Sequence, residues 1–338
     1  MKKIIFIVID GLGDKPIPQL GNKTPLEAAE KPNLDWLAAN GKSGLVLPFK
    51  FSWQKKPQSD SCHLALFGYD PEIYYLGRGP YEAAGINIKM EKGDVAFRAN
   101  FATCDKDTKI IDRRASRISE TQSLIKALDG MQIEGVKFLV KKSVGHRAVV
   151  IMRGGNLSPC ISDCDPKATG VKIKKVMPKF TVLPKCKKEQ FVGLRDAQFT
   201  ADILNKFLRG AHKILDNHPF NKKRVRKGML PANLLLVRGA GQFQEVPSFN
   251  ESWGMKACCI AGGGLYKGIA KILGMNILNV KGANALSNTN LAGKITAAKN
   301  ALHKYDFVFC HIKATDSLAE DGNFIGKKSF IEKIDQSL

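Results

Sequence analysis

Residues 4–9 (IIFIVI) are apolar without alternation, and the run stops at Asp10-Gly11-Leu12-Gly13-Asp14. A run of this kind predicts a strand buried on both faces, as at the centre of a parallel sheet. Thr24, Pro25 and Glu27 then read as cap, first turn and capping-box partner of a helix. That helix is interrupted at Pro32, turns Leu26, Ala29, Leu34, Trp36 and Leu37 towards the core, and ends at Gly41; a short strand is expected over 44–47. The β-α-β order points to a layered sheet.

The middle of the chain has a different period. Val95, Phe97, Ala99 and Phe101 alternate with polar residues, which predicts a strand with one solvated face. A hairpin turn over 104–108, a helix ending at Gly130, strands at 138–140 and 148–152 and a long helix over 191–215 complete an α+β segment. Near Met255 the earlier style returns. Residues 256–261 and 276–280 read as strands around a glycine turn and a helix over 265–273; a last core strand covers 305–312, and a helix runs from Lys327 through Ile334. The spacing of Gly262, Gly264 and Gly268 misses the dinucleotide fingerprint, and no acidic residue ends the second strand. The predicted fold class is α/β: a layered-sheet domain built from 1–87 and 254–338, with an inserted α+β domain over 88–253.

Asp10 and Asp316 both follow core strands, so both fall at the carboxyl edge of the sheet, where open α/β folds bind ligands. An Asp followed by Gly suits a hard cation or phosphate, and suits a turn or a helix cap equally well. The second chemical stretch is 57–70, where Ser59 and Ser61 precede a short amphipathic helix. Either is a natural N-cap. A hydroxyl at a helix start is also placed to become a nucleophile, because free N–H groups there stabilise a phosphate ester.

Charge narrows the partner. The 338 residues carry 53 Lys and Arg against 31 Asp and Glu, a net charge of +22, which favours anions. The cations are spread along the chain, and the densest run, 221–227, reads as one short loop without aromatic platforms. Small phosphorylated substrates therefore fit better than nucleic acid. No stretch approaches the roughly 20 apolar residues of a membrane span, and a cytoplasmic location is expected. The eight cysteines show no framework spacing and read as reduced thiols; Cys160 and Cys164, beside Asp163 and Asp165, make a weak metal clip without a second pair.

Several long motifs occur together: 10–14 (DGLGD), 59–70 (SDSCHLALFGYD), 77–83 (GRGPYEA), 94–103, 112–115, 145–148, Asp163 with Asp165 and Pro166, 230–233, 238–241 and 311–316 (HIKATD). In this order they resemble the archaeal-type cofactor-independent phosphoglycerate mutases of the alkaline phosphatase superfamily, over nearly the whole chain. The resemblance implies a two-domain enzyme that interconverts 3-phosphoglycerate and 2-phosphoglycerate in glycolysis and gluconeogenesis through a phosphoserine. It uses two divalent cations, manganese or magnesium, and no 2,3-bisphosphoglycerate. On the motif, Ser59 is the nucleophile, Asp10 and Ser59 ligate one metal, Asp316 ligates the other, and Lys267 lies between metals and phosphate.

Arg98, Arg113, Arg114, His146, Arg147 and Arg238 are too dispersed for a linear patch, but folded together they make a cationic pocket for carboxylate and phosphate. The resemblance adds Asp163 and Asp165 to this substrate-binding set. Two departures bear on activity. The family's metal-binding His four residues after Asp316 is Glu320 here, a competent ligand for hard cations. The family's remaining Asp-His pair and final His have no counterpart before Leu338, so the sequence reads as a C-terminally truncated member with an open sheet edge and little or no turnover. Two further readings stand beside the mutase: a related phosphoryl-transfer enzyme, phosphatase or homoserine-kinase-like, and an impaired descendant that binds phosphorylated metabolites. The oligomeric state stays open.

Overall fold

In the computed structural model, residues 3–48, 58–180 and 193–338 are described. They form strands β1 (Ile4–Ile9), β2 (Val95–Cys104), β3 (Ile110–Asp112), β4 (Gln132–Ile133), β5 (Val136–Lys142), β6 (Arg147–Arg153), β7 (Leu234–Gln242), β8 (Ala257–Ile260), β9 (Asn276–Ile277) and β10 (Phe307–Ile312). The chain divides into two compact units, 1–56 with 246–338, and 57–245. The breaks lie at 56/57 and 245/246, where the sequence reading drew them at 87/88 and 253/254. The segment carrying Ser59 therefore folds with the antiparallel unit.

The first unit holds a parallel sheet in the order β1-β10-β8-β9. Its β10 is buried at all six positions, as a run of six apolar or aromatic side chains flanked on both sides demands. The expectation that β1 is central is corrected: it pairs only with β10 among the described residues, its side chains are half-buried, and Ile4 is 38% exposed. Local apolarity calls for burial without saying how many neighbours supply it.

The capping box at Thr24 forms as expected, with the helix Pro25–Ala28. Pro32 does not interrupt a helix but starts a second one, Pro32–Asn40, the position where its fixed φ and missing N–H cost least. The side chain of that helix's own N-cap residue makes no cap. Asp335, from the helix Phe324–Asp335, supplies it instead, its carboxylate accepting from the amides of Asn33 (3.3 Å) and Leu34 (2.7 Å). Two expectations fail here. Trp36 and Leu37 are 63% and 50% exposed, and 44–47 forms no strand, with Leu45 99% exposed. An apolar triplet becomes a strand only beside a partner edge, and this one has none among the described residues.

The second unit is a six-stranded sheet, β3-β2-β6-β5-β4 with β7 on β2, in which the strand pairs are antiparallel. Val95, Phe97, Ala99 and Phe101 point into a core shared with the long helix Leu194–Asn217; Phe191 lies outside the described residues. The other face of β2 was expected to meet solvent and does not, because all ten residues are buried. It is covered by the helix Arg78–Gly85. Gly79 permits the approach, since a Cβ there would lie 1.9 Å from the Ala96 carbonyl oxygen. Arg98 and Asn100 are thus buried polar residues under a helix.

The cysteine expectations also change. Cys62, Cys104, Cys164, Cys258, Cys259 and Cys310 are outside any disulfide, whereas Cys160 is disulfide-bonded. Cys164 is no metal ligand: its thiol donates to the Val237 carbonyl (3.4 Å), accepts the Val237 amide (3.1 Å), and is pushed up to about 12 by burial. No helix among the described residues is long and apolar enough to cross a membrane.

Candidate active site

In the antiparallel unit, the helix Ser59–Leu66 begins after Gln58, whose side chain makes no cap. Ser59 is the first helical residue and not the N-cap, and its carbonyl lies 2.6 Å from His63 Nδ1. Ser61 closes the start from within, its hydroxyl donating to the Gln58 carbonyl (3.2 Å). Between them Asp60 is fully buried, accepting from the Tyr75 hydroxyl at 2.8 Å and the Ser61 amide at 3.1 Å. A buried carboxylate tolerates this only with good hydrogen bonds and nearby positive charge. Arg78 provides the charge, and Asp60 helps to raise its pKa.

Arg78 opens the cationic cluster. Its Nε donates to Glu82 Oε1 at 3.0 Å, and Arg98 NH1 stands 3.9 Å from the same oxygen. Burial alone would raise the Glu82 carboxyl; Arg78 and Arg98 outweigh it and hold it below its ordinary value. Arg98 faces Arg238 across the β2–β7 pair, and the Nε atoms of both have no hydrogen-bond partner among the described residues. Burial first, then Arg78, pulls the Arg98 guanidinium down to about 8, and the same two causes lower Arg238. A buried, crowded set of guanidiniums is a site short of anions.

The remaining expected residues surround it unevenly. Arg147 begins β6, opposite Asn100 of β2, and acts electrostatically on Glu82 and Arg98. His146 is pushed down to about 4 by burial and then by Arg147, Arg114 and Arg98, so it is neutral at pH 7. Arg113 forms a two-pronged pair with buried Asp165, at 3.1 and 2.6 Å. Asp163 accepts the Gly239 amide at 2.7 Å beside Arg238. Arg114 is exposed, its amide held by Asp112 Oδ1 at 2.7 Å.

In the parallel-sheet unit, Asp10 follows β1 and Asp316 lies in the first turn of the helix Ala314–Glu320. Gly11 brings them together, because a Cβ on it would fall 2.5 Å from the Asp316 Cα. Lys313 Nζ bridges the two carboxylates, at 2.8 Å from Asp10 Oδ2 and in direct contact with Asp316 Oδ2. The Tyr266 hydroxyl donates to Asp10 Oδ2 at 2.6 Å, and His311 Nε2 is 3.5 Å from the same oxygen. Against burial, which would raise it, His311 and Lys313 hold the Asp10 carboxyl well below its usual range.

Two carboxylates around one positive charge are the beginning of a hard-cation site, with the lysine ammonium standing where a cation would. The set is incomplete, since no group of three or more His, Cys, Asp or Glu suited to a metal exists among the described residues. Glu320 is exposed at the end of its helix, Ser59 belongs to the other unit, and Lys267 reaches Asn279 Oδ1 at 3.4 Å.

Arg78, Glu82, Lys313 and Tyr266 were not singled out from the sequence. Arg78 and Glu82 carried a signal, an i,i+4 ion pair between glycines that let a helix come close to a sheet.

Comparison with known proteins fits this arrangement. A sequence model described as 2,3-bisphosphoglycerate-independent phosphoglycerate mutase matches residues 38–221. The 2,3-bisphosphoglycerate-independent phosphoglycerate mutase 1 of Archaeoglobus fulgidus is 48% identical over 340 residues, covering 99% of this chain and 79% of that protein. The chain belongs to this family of mutases.

Among solved structures, the cofactor-independent phosphoglycerate mutase of Thermoplasma acidophilum is 40% identical, with a TM-score of 0.64 over 100% of this chain and 82% of that one. A Pyrococcus horikoshii protein is 31% identical, with a TM-score of 0.78 over 99% of this chain and 77% of that one. The mixed α/β fold and membership among the glycolytic, cofactor-independent isomerases follow from these likenesses.

Proposed function

We propose that the chain interconverts 3-phosphoglycerate and 2-phosphoglycerate through a phosphoserine on Ser59. The observation that carries this reading is the anion-poor guanidinium pair Arg98 and Arg238, crowded by Arg78, which pairs with Glu82 and is electrostatically linked to Asp60, all in the same compact unit as Ser59. Phosphoglycerate carries a phosphate and a carboxylate, the groups that guanidiniums grip in two-pronged fashion. In one direction Ser59 Oγ forms a bond to phosphorus while the bond from phosphorus to the glycerate 3-oxygen breaks, and the serine proton ends on that oxygen. The 2-hydroxyl then attacks the phosphoserine, the Ser59 oxygen leaves, and the proton returns to it. The arginines retain glycerate between the two steps, which separates isomerisation from hydrolysis.

In this reading Arg113, aligned by Asp165, and Arg147 widen the anion site. Arg114, His146 and Asp163 line its margin; Lys267, expected from the sequence to serve the phosphate, belongs to the other unit. The parallel-sheet unit is then the alkaline-phosphatase-like part of a cytoplasmic enzyme and the antiparallel unit its substrate domain. Divalent cations, manganese or magnesium, belong to the reading as an expectation; Asp10 and Asp316 would be the carboxylates offered to them, with Ser59 and Glu320 as the further ligands named from sequence. No step is assigned to a metal here, because the described donor set is short of one.

The test is incubation of the chain with 3-phosphoglycerate and manganese, following 2-phosphoglycerate beside a Ser59→Ala control. Turnover that disappears in the control supports the reading; turnover that survives it, or phosphate trapped on Ser61, overturns it. The Lys313 bridge favours a second reading, a descendant that binds phosphoglycerate without turning it over. Binding of 3-phosphoglycerate with Ser59 never phosphorylated would select it.

A further inference from the structure

A cavity of about 210 Å³ lies in the antiparallel unit, lined among the described residues by Thr108, Ile173, Leu208 and Leu234, by Lys174, Lys175 and Arg209, and by Asn205 and His212. It is separate from the guanidinium cluster. None of its lining residues belongs to that cluster, and Leu234, at the start of β7, pairs with Ala102, four residues along β2 from Arg98.

Its walls are fixed by buried hydrogen bonds. Asn205, 7% exposed, clamps the 173–176 segment by accepting the Val176 amide (3.0 Å) and donating to the Val176 carbonyl (2.9 Å). The Ile173 amide donates to the Thr108 carbonyl at 3.2 Å. His212 Nδ1 lies 2.8 Å from the Asn233 carbonyl, and Asn233 in turn holds the backbone of Cys104 and the Asp216 carboxylate. With Nδ1–H committed to a carbonyl, Nε2 is the ring nitrogen left for a ligand.

The lining divides by chemistry. Ile173, Leu208 and Leu234 give an apolar floor; Lys174, Lys175 and Arg209 are exposed cations at the rim. No acidic residue lines it among the described residues. For scale, an apolar cavity of about 150 Å³ accepts benzene. We propose that this cavity is a binding site for a compact amphipathic carboxylate, an apolar body of about benzene size with one anionic head. Phosphoglycerate, with two anionic groups and no apolar body, is the wrong shape of molecule for it.

Benzoate is the probe, titrated calorimetrically into the full chain beside benzyl alcohol and inorganic phosphate. The expected result is saturable benzoate binding, with the alcohol and phosphate each at least about tenfold weaker, since the site needs both floor and rim. Each rim cation is exposed and contributes about two- to fivefold, so K174Q/K175Q/R209Q together should weaken benzoate by more than about tenfold. These side chains are on the surface, so unchanged thermal unfolding separates loss of the site from loss of the fold. Saturating 3-phosphoglycerate should leave benzoate affinity unchanged. Absence of benzoate binding, indifference to the triple substitution, equal affinity for phosphate, or displacement by 3-phosphoglycerate would each overturn the proposal.

Discussion

Arg98→Met should weaken substrate binding and stabilise the protein at the same time, a pairing of signs that few substitutions produce. Arg98 is 7% exposed, its Nε is unpartnered among the described residues, and its nearest carboxylate oxygen, on Glu82, is 3.9 Å away. Glu82 keeps Arg78 at 3.0 Å when Arg98 is removed, so no carboxylate is stranded. Replacing a poorly paired buried charge by an apolar side chain of similar length gains roughly 1 kcal/mol or more, a rise in Tm of about 2–4 °C per kcal/mol for a large domain. Losing one charge-assisted hydrogen bond to a bound anion costs about 1.5–3 kcal/mol, which is about 10- to 150-fold in Kd at 1.4 kcal/mol per decade. Calorimetric titration with 3-phosphoglycerate and scanning calorimetry of the same samples read both quantities. A lowered Tm with unchanged affinity would show that Arg98 holds β2 under its covering helix, and would remove the main support for the anion site.

The remaining expectations test other parts of the structure. Between its ordinary 6.5 and its folded value of about 4, His146 is protonated in the unfolded chain and neutral in the folded one, so its contribution is fully present above about 6.5 and is lost as pH falls through about 4. That gap corresponds to about 3 kcal/mol, reduced to roughly 1–2 kcal/mol by solvent around a half-exposed ring, and urea titrations of His146→Gln at pH 7 and pH 5 should show a flatter pH dependence than the parent. Gly79→Ala places a Cβ 1.9 Å from the Ala96 oxygen, and should cost about 3 kcal/mol or more by overpacking and abolish 3-phosphoglycerate binding, because the helix carrying Arg78 and Glu82 must lift off the sheet. Asp335→Ala strips the cap from the helix Pro32–Asn40 and should lower thermal stability by about 1–2 kcal/mol. Lys313→Met leaves Asp10 and Asp316 facing each other; the variant should be less stable without metal, recover with manganese, and bind manganese more tightly than the parent by calorimetry.

What was legible in the sequence was the local period, and what was not was the identity of the neighbours. The alternation of Val95, Phe97, Ala99 and Phe101 assigns one face of β2 to the core correctly. The same alternation makes Arg98 and Asn100 look solvated, because nothing within the strand announces that Gly79 will let a helix lie against the Ala96 backbone. Burial of that second face is what turns an ordinary arginine into a depressed one, so the feature on which the proposed function rests was hidden by the rule that found the strand. The opposite error occurs in β1, where six apolar residues promised two covered faces and the described sheet supplies a neighbour on one side only.

The carboxylates show the same division. That Asp10 and Asp316 share an edge followed from two apolar strands ending just before them, and β1 and β10 are indeed adjacent and parallel. Nothing local in the sequence marks Lys313, since a lysine after a core strand is commonly a solvated end. Its neighbours decide otherwise: held between two partly buried carboxylates and beside Tyr266, its ammonium is raised above its ordinary value against the effect of burial. An ammonium bound that firmly competes with any divalent ion for the same oxygens. Under the proposed function, the affinity of these carboxylates for a metal is therefore set as much by how easily one lysine swings away as by which acidic residues are present.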